Sequence, residues 1–230
     1  MIVGSGQLAQ VFQKSSLDES FIIFASGVSN SNCKEKKEFQ REKELLLATL
    51  EKNLEKKIVY FSSCALSADA YEKNEYYQHK LEMEELIKKT TSKYYIFRVP
   101  QLFGKLKEHN TLINFIYKSI LDDAEFSVYN EAYRYVIEIE DLKEFVEHYV
   151  VGSKPAKTVD IANPYRYRVE DIVHIFENLL DKKAKYSLVD KEDKYTLDLT
   201  QMSLFIKEHS LDMKFGKGYL ESKLKDKIAL

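Results

Sequence analysis

Apolar residues in this chain fall in short unbroken blocks separated by longer amphipathic stretches. Phe21-Ile22-Ile23-Phe24 and Ile58-Val59-Tyr60-Phe61 are continuous apolar runs. Such runs are expected of strands buried on both faces of a parallel sheet. Tyr94 to Val99 reads the same way and is closed by Pro100 and Gly104. The stretch 35–57 has helical spacing, with Phe39, Leu46, Leu50 and Leu54 on one stripe, widened by Leu45 and Leu47. Its charges are assigned to a solvated face. A second helix is expected over 74–89, with Leu81, Met83, Leu86 and Ile87 as its apolar surface. Further helices are expected over 111–121, 141–149 (capped by Asp141), from 169 through Leu179, and over 200–207. Short β stretches are expected at 126–129, 133–137 and 158–161, and the charged C-terminal part is less regular. Strands alternating with helices predict an α/β fold with a mainly parallel sheet.

The turns at the ends of these strands carry the chemistry. Met1-Ile2-Val3 runs into Gly4-Ser5-Gly6-Gln7-Leu8-Ala9, a Gly-x-Gly-x-x-Ala turn opening a short helix. The first glycine permits a tight turn, the second a close approach of backbone to a pyrophosphate, and the small Ala9 close helix–sheet packing. The second strand ends in Ala25-Ser26-Gly27 and the third in Ser62-Ser63-Cys64. Thirteen residues after Ser63 stands Tyr76, and four further on Lys80. Residues four apart share a helix face, and a lysine there can lower a phenol's pKa. Taken alone the pair says little, since about two such spacings arise by chance in a chain so rich in both residues. Its place after two Gly-containing strand ends is what a dinucleotide-binding sheet requires.

Composition narrows the class. The chain has 230 residues, 35 Lys and Arg against 37 Asp and Glu, and a net charge of −2. It suits one large domain, or a domain with a small lobe. The interspersed charge gives no nucleic-acid footprint and no membrane-attracting patch. Cys33 and Cys64 lie in no metal-ligand spacing, so no metal site is expected and a reduced, cytoplasmic protein is. No basic segment precedes the first strand and no apolar run nears membrane-spanning length, so neither signal peptide nor transmembrane helix is expected.

The motifs in order resemble the extended short-chain dehydrogenase/reductases. They are Gly4 to Ala9, Ala25-Ser26-Gly27, Ser62-Ser63, Tyr76-x-x-x-Lys80, Arg98-Val99-Pro100-Gln101-Leu102-Phe103-Gly104, and Arg134 to Asp141. Within that family they look most like the nucleotide-sugar epimerase/dehydratase/reductase group. The resemblance implies a Rossmann-type doubly wound sheet, with a dinucleotide-binding core over 1–104 and a small substrate lobe within 105–230. It implies Tyr76 as general acid/base, Lys80 as the group that lowers its pKa and binds the nicotinamide ribose, and Ser63 as the partner of the sugar oxygen. Gly4, Gly6, Ala9, Ala25, Ser26, Gly27 and Pro100 would line NAD or NADP. Gln101, Asn110 and Arg134 would meet the nucleotide sugar, the forked Arg134 gripping its diphosphate. Asp141 looks like a structural cap. A homodimer through the helices at 35–57 and 74–89 is implied by analogy.

The departures from that family shape the expectation. Only Lys14 to Ser20 separate the first helix from the Phe21 strand. The second and third strands of a full sheet, with the acid that holds the adenosine ribose, are therefore missing, and NAD is not distinguished from NADP. The Ser63–Tyr76 interval is short. Cys64-Ala65 stands where the dehydratases have an acidic pair. The expected function is an NAD(P)-dependent nucleotide-sugar reductase or epimerase working through a 4-keto sugar, in polysaccharide or deoxysugar synthesis. The alternative is a degenerate member that binds a nucleotide, nucleotide sugar or protein without turnover. A catalytic Cys64/His109 pair is a lesser option, a small buried cysteine being commoner. His79 is expected on the exposed side of its helix. Tyr165 to Arg168 reads as a nucleotide-facing loop or a solvated turn.

Overall fold

Five of the short β segments become one parallel sheet in the computed structural model, which describes residues 1–68, 74–106 and 111–228. In chain order the elements are β1 (Ile2–Val3), α1 (Gln7–Phe12), β2 (Phe21–Phe24), α2 (Lys36–Glu51), β3 (Lys57–Ser63) and a 3-10 turn over Cys64–Ser67. Then come α3 (Glu75–Thr90), β4 (Tyr94–Val99), β5 (Gln101–Phe103), α4 (Leu112–Leu121), β6 (Glu125–Arg134), β7 (Val136–Glu138) and α5 (Ile139–Gly152). The chain continues through β8 (Lys157–Asp160), β9 (Tyr167–Arg168), α6 (Val169–Leu180), β10 (Lys185–Asp193), α7 (Thr200–Glu208) and α8 (Tyr219–Ile228). These fall into two units. The first is Met1–Val99, Glu140–Ile161 and Leu197–Leu211; the second is Pro100–Ile139, Ala162–Thr196 and Asp212–Leu230. The chain returns to the first unit twice, so no single cut separates them.

The first unit holds the parallel sheet, in the order β1-β2-β3-β4-β8. Alternation of side chains across each strand makes its two faces. Ile22, Phe24, Ile58, Tyr60 and Ile96 pack with Leu46 and Leu50 of α2 and Met83 and Ile87 of α3. On the other face Phe61 meets Phe12 of α1 at 5.6 Å between ring centroids, and Phe97 meets Tyr149 of α5 at 5.6 Å. Phe205 of α7 joins them, 4.6 Å from Tyr149. The unit is thus a helix–sheet–helix sandwich, the Rossmann-type arrangement that the sequence implies.

Strand order also accounts for the missing elements. A full sheet runs 3-2-1-4-5-6, reversing direction after its third strand. Removing its second and third strands leaves 1-4-5-6, which advances one way only, as here. The connections through α1 and through α2 both advance in that direction, yet α1 and α2 lie on opposite faces. They are therefore of opposite hand, although right-handed crossovers are the near-universal rule. Excision of the two strands explains the exception: α1 keeps the face it would have in a full sheet but now joins a strand on its other side.

The second unit contains a three-stranded sheet, β10-β6-β9, and the pair β5-β7. Ile116 and Ile120 of α4, Val173 and Phe176 of α6, and Leu220 and Leu224 of α8 close its core.

Several boundaries differ from expectation. Helix α2 stops at Glu51 because β3 already begins at Lys57, and Leu54 is left 57 % exposed. The stretches 126–129 and 133–137 fall in two strands as read, but the break lies at Tyr135, because β6 runs unbroken from Glu125 to Arg134 and β7 begins at Val136. Asp141 does not stand at the start of its helix, since α5 begins two residues earlier and places it in the first turn. Tyr167 and Arg168 form β9, antiparallel to β6, rather than a loop.

Candidate active site

The Gly-rich turn has the expected backbone. Gly4 has φ +130°, and a Cβ there would lie 2.4 Å from the carbonyl oxygen of Ala25, so only glycine fits. Gly6 caps α1 in extended conformation, and a Cβ on it would meet nothing within 4 Å. Ala9 is fully buried. At the end of β2 the contacts are internal. Arg41 donates from Nη1 to Ser26 Oγ and from Nη2 to the Ser26 carbonyl, each at 3.2 Å. A Cβ on Gly27 would lie 2.5 Å from Lys80 Nζ and 2.9 Å from Glu42 Oε1.

Strand β3 and helix α3 bring the Ser/Tyr/Lys set into the first unit. Ser63 Oγ accepts from the Ala65 amide at 3.4 Å, capping the 3-10 turn and leaving its own proton to donate elsewhere. Its neighbour Ser62 has a buried hydroxyl with no hydrogen-bond partner among the described residues. Asn74 caps α3 by accepting from the Tyr77 amide at 3.1 Å. Tyr76 and Lys80 follow on one face of α3, the Lys80 ammonium 5.9 Å from the centroid of the Tyr76 ring. Both are buried.

Lys80 has a resident partner. Its Nζ donates to Glu42 Oε1 at 3.0 Å and to the Tyr60 hydroxyl at 3.2 Å. Glu42 has no exposed surface and gathers three more partners: the Val28 amide at 2.7 Å, the Tyr60 hydroxyl at 2.6 Å, and His79 Nε2 at 3.0 Å. His79 is buried rather than exposed, stacked on Phe39 at 4.6 Å. Burial pushes the Glu42 carboxyl up, but Lys80, His79, Tyr60 and the Val28 amide outweigh it and bring its pKa down to about 2. Burial, then the neighbouring Tyr77, Glu42 and Cys64, push the Tyr76 phenol well above its ordinary value. The phenol therefore holds its proton firmly.

Glu42 is the site residue that sequence reasoning missed, and a signal existed. It stands three residues after Phe39 and four before Leu46, on the apolar stripe of α2 and not opposite it.

A second, half-buried network lies at the ends of β4 and β8. Arg98 grips Glu84 with Nε at 2.9 Å and Nη2 at 2.8 Å, and donates from Nη1 to Ser67 Oγ at 2.9 Å. Ser67 donates to Asp160 at 2.6 Å. Burial raises the Asp160 pKa to about 6, against Ser67 and Arg98, which lower it.

The remaining expected residues belong to the second unit or fall outside the described residues. Gln101 opens β5, its amide donating to the Tyr135 carbonyl at 3.2 Å, directly after Pro100. Arg134 donates from Nη1 to the carbonyls of Tyr133 and Asp193, each at 2.9 Å, and pairs through Nη2 with the Asp193 carboxylate. Arg166 lies 5.0 Å over the Tyr133 ring. Asn110 and His109 lie outside the described residues. Among the described residues no group of three or more His, Cys, Asp or Glu is placed to hold a metal, and no helix is long and apolar enough to cross a membrane.

These residues fit a dinucleotide in part. The Gly4–Ala9 turn has the open backbone that a pyrophosphate needs. The cradle at Gly27, in contrast, is filled by Lys80 and Glu42, and among the described residues no strand offers an acid to an adenosine ribose.

No family model matches the chain, and no curated protein matches it. Solved structures do. A dTDP-4-dehydrorhamnose reductase of Clostridium acetobutylicum superposes with a TM-score of 0.77 at 17 % identity, covering 99 % of this chain and 97 % of its own. The UDP-glucose 4-epimerase of Thermus thermophilus, in complex with NAD, gives 0.74 at 9 % identity over 96 % of this chain and 81 % of its own. A dTDP-glucose 4,6-dehydratase of Bacillus anthracis, also with NAD, gives 0.73 at 13 % over 96 % and 76 %. The chain has the Rossmann-type fold of the NAD-dependent sugar-nucleotide epimerases, dehydratases and reductases of the extended short-chain dehydrogenase/reductase type.

Proposed function

We propose that the chain is a nicotinamide-dependent reductase of 4-keto nucleotide sugars in which Tyr76 donates the proton. The observation that carries this reading is the Tyr76 phenol itself, buried, held protonated and on the same face of α3 as Lys80. Reduction of a ketone consumes a proton, and a phenol that keeps its proton can deliver it to the far more basic alkoxide that forms. Epimerisation through a keto form begins with the opposite step, removal of a hydroxyl proton, which a phenol that still holds its own proton does not perform. Ser63, with its proton free, would polarise the ketone oxygen by donating to it. Cys64-Ala65 offers no acid for water elimination. Gly4, Gly6 and Ala9 would hold the cofactor's pyrophosphate, and the nicotinamide would supply the hydride. Arg134 would meet the substrate's diphosphate once parted from Asp193.

A second reading is a binding protein without turnover, favoured by the Glu42–Lys80 pair. The two separate on one assay. The purified protein is given NADPH or NADH with a dTDP- or UDP-linked 4-keto sugar, and nicotinamide absorbance is followed. A reductase consumes the reduced cofactor and loses about 100-fold or more of its rate in Tyr76→Phe. A binding protein consumes none, and Tyr76→Phe leaves its nucleotide-sugar affinity unchanged.

A further inference from the structure

A lysine beside a catalytic phenol is useful through its charge, and here that charge already has an owner. Lys80 is 2 % exposed and Glu42 is not exposed at all, with 3.0 Å between ammonium and carboxylate. In so dry a setting an ion pair acts on its surroundings nearly as a dipole, and the field at a third group depends on both members. Gly27 is part of the arrangement, because its missing side chain is the space in which the two groups meet.

We infer that Glu42 is a positioning residue for the proposed reaction, neutralising and fixing Lys80 so that Tyr76 is kept as a proton donor. This rests on the reading of Tyr76 as the proton-transferring group. Among the described residues the other titratable groups near the pair are Tyr60 from β3, His79 and Glu84 from α3, Tyr77 beside Tyr76, and Cys64 after β3. Among them Glu42 is the carboxylate in direct contact with Lys80. His79 and Tyr60 hold the two oxygens of that carboxylate in place, so the pair has a single geometry.

The experiment compares three proteins by carbon-13 NMR of tyrosine ring carbons without any cofactor, the Tyr76 signal being assigned with Tyr76→Phe. Glu42→Gln keeps the shape of the side chain and removes its charge. It is expected to lower the Tyr76 titration midpoint by about one pH unit or more, as an uncompensated ammonium should. Breaking one side of a buried pair can prevent folding, whereas removing both charges is tolerated far better. The double variant Glu42→Gln with Lys80→Met therefore serves as the second arm. If Glu42 cancels Lys80 at the phenol, deleting both leaves Tyr76 titrating as in the wild type. A double variant whose Tyr76 titrates as low as in Glu42→Gln would mean that the Lys80 ammonium is not what lowers it, and would overturn the inference. So would a folded Glu42→Gln protein whose Tyr76 titrates unchanged. Nicotinamide binding is measured separately. Its absence from all three proteins would count against the reductase reading, while the tyrosine titration would still decide the role of Glu42.

Discussion

Glu42 and Asp160 are both carboxylates of the first unit, the one fully buried and the other half-buried, and their surroundings drive them apart. Glu42 accepts from four donors, while Asp160 accepts from Ser67 and faces Glu84 as well as Arg98. With a folded pKa of about 2 against 4.5, Glu42 contributes stability that is present above pH 4.5 and lost as pH falls through about 2. Asp160 works with the opposite sign. Its folded pKa of about 6 exceeds the ordinary 3.8, so the folded state binds the proton more tightly and gains stability as pH falls from about 6 to 3.8. Asp160→Asn should therefore raise the urea midpoint near pH 7.5, by an amount worth about 1–2 kcal/mol, and change it little near pH 4. A loss of stability near neutrality would show that the Arg98 pairing outweighs the burial. The placement of Ser63 at a strand end and of Tyr76 and Lys80 at a helical spacing was legible in the sequence, while the roles proposed for them came from the resemblance alone. Glu42 also stands at a legible position on the apolar stripe of α2, but a charged residue there is read as solvated unless a buried partner is already known.

Helix α3 and the turn after β1 concentrate local structure on single residues. Asn74 accepts from the amide of Tyr77, and Tyr76 lies in that first turn. Asn74→Ala should cost about 1 kcal/mol in chemical denaturation and should loosen Tyr76 before the rest of the helix. Gly4→Ala is more severe, since it meets both a positive φ and a backbone oxygen that does not move aside. A loss of at least about 2 kcal/mol is expected, against a much smaller effect for Gly6→Ala, whose Cβ meets nothing. Thermal melts of the two variants side by side check this. At this scale the sequence was clear for β2, β3 and β4, where apolar runs are continuous. It was silent for β10, most of whose residues are exposed and which therefore lacks the alternation that marks a strand. Helix α8 was also passed over, because Tyr219, Leu220 and Leu224 give its ten residues too sparse a stripe among lysines.

The short sheet decides what the whole molecule can distinguish. An acid on the second strand of a full sheet is what selects NAD over NADP. The order β1-β2-β3-β4-β8 has no such strand. NADH and NADPH should accordingly bind with dissociation constants within about threefold of each other by fluorescence titration. A preference of tenfold or more would require a selecting group elsewhere in the chain. The opposite hands of the α1 and α2 crossovers carry a practical consequence. Residues 13–20 join a helix on one face to a strand on the far side of β1, and β1 is the sheet's edge. A strand–helix–strand cassette ending in a crossover helix, spliced into that loop, could pair outward from β1 without disturbing any existing ladder. Engineering of this kind would restore the reversal in strand order, and the graft would test whether nucleotide selectivity can be installed in a scaffold that lacks it.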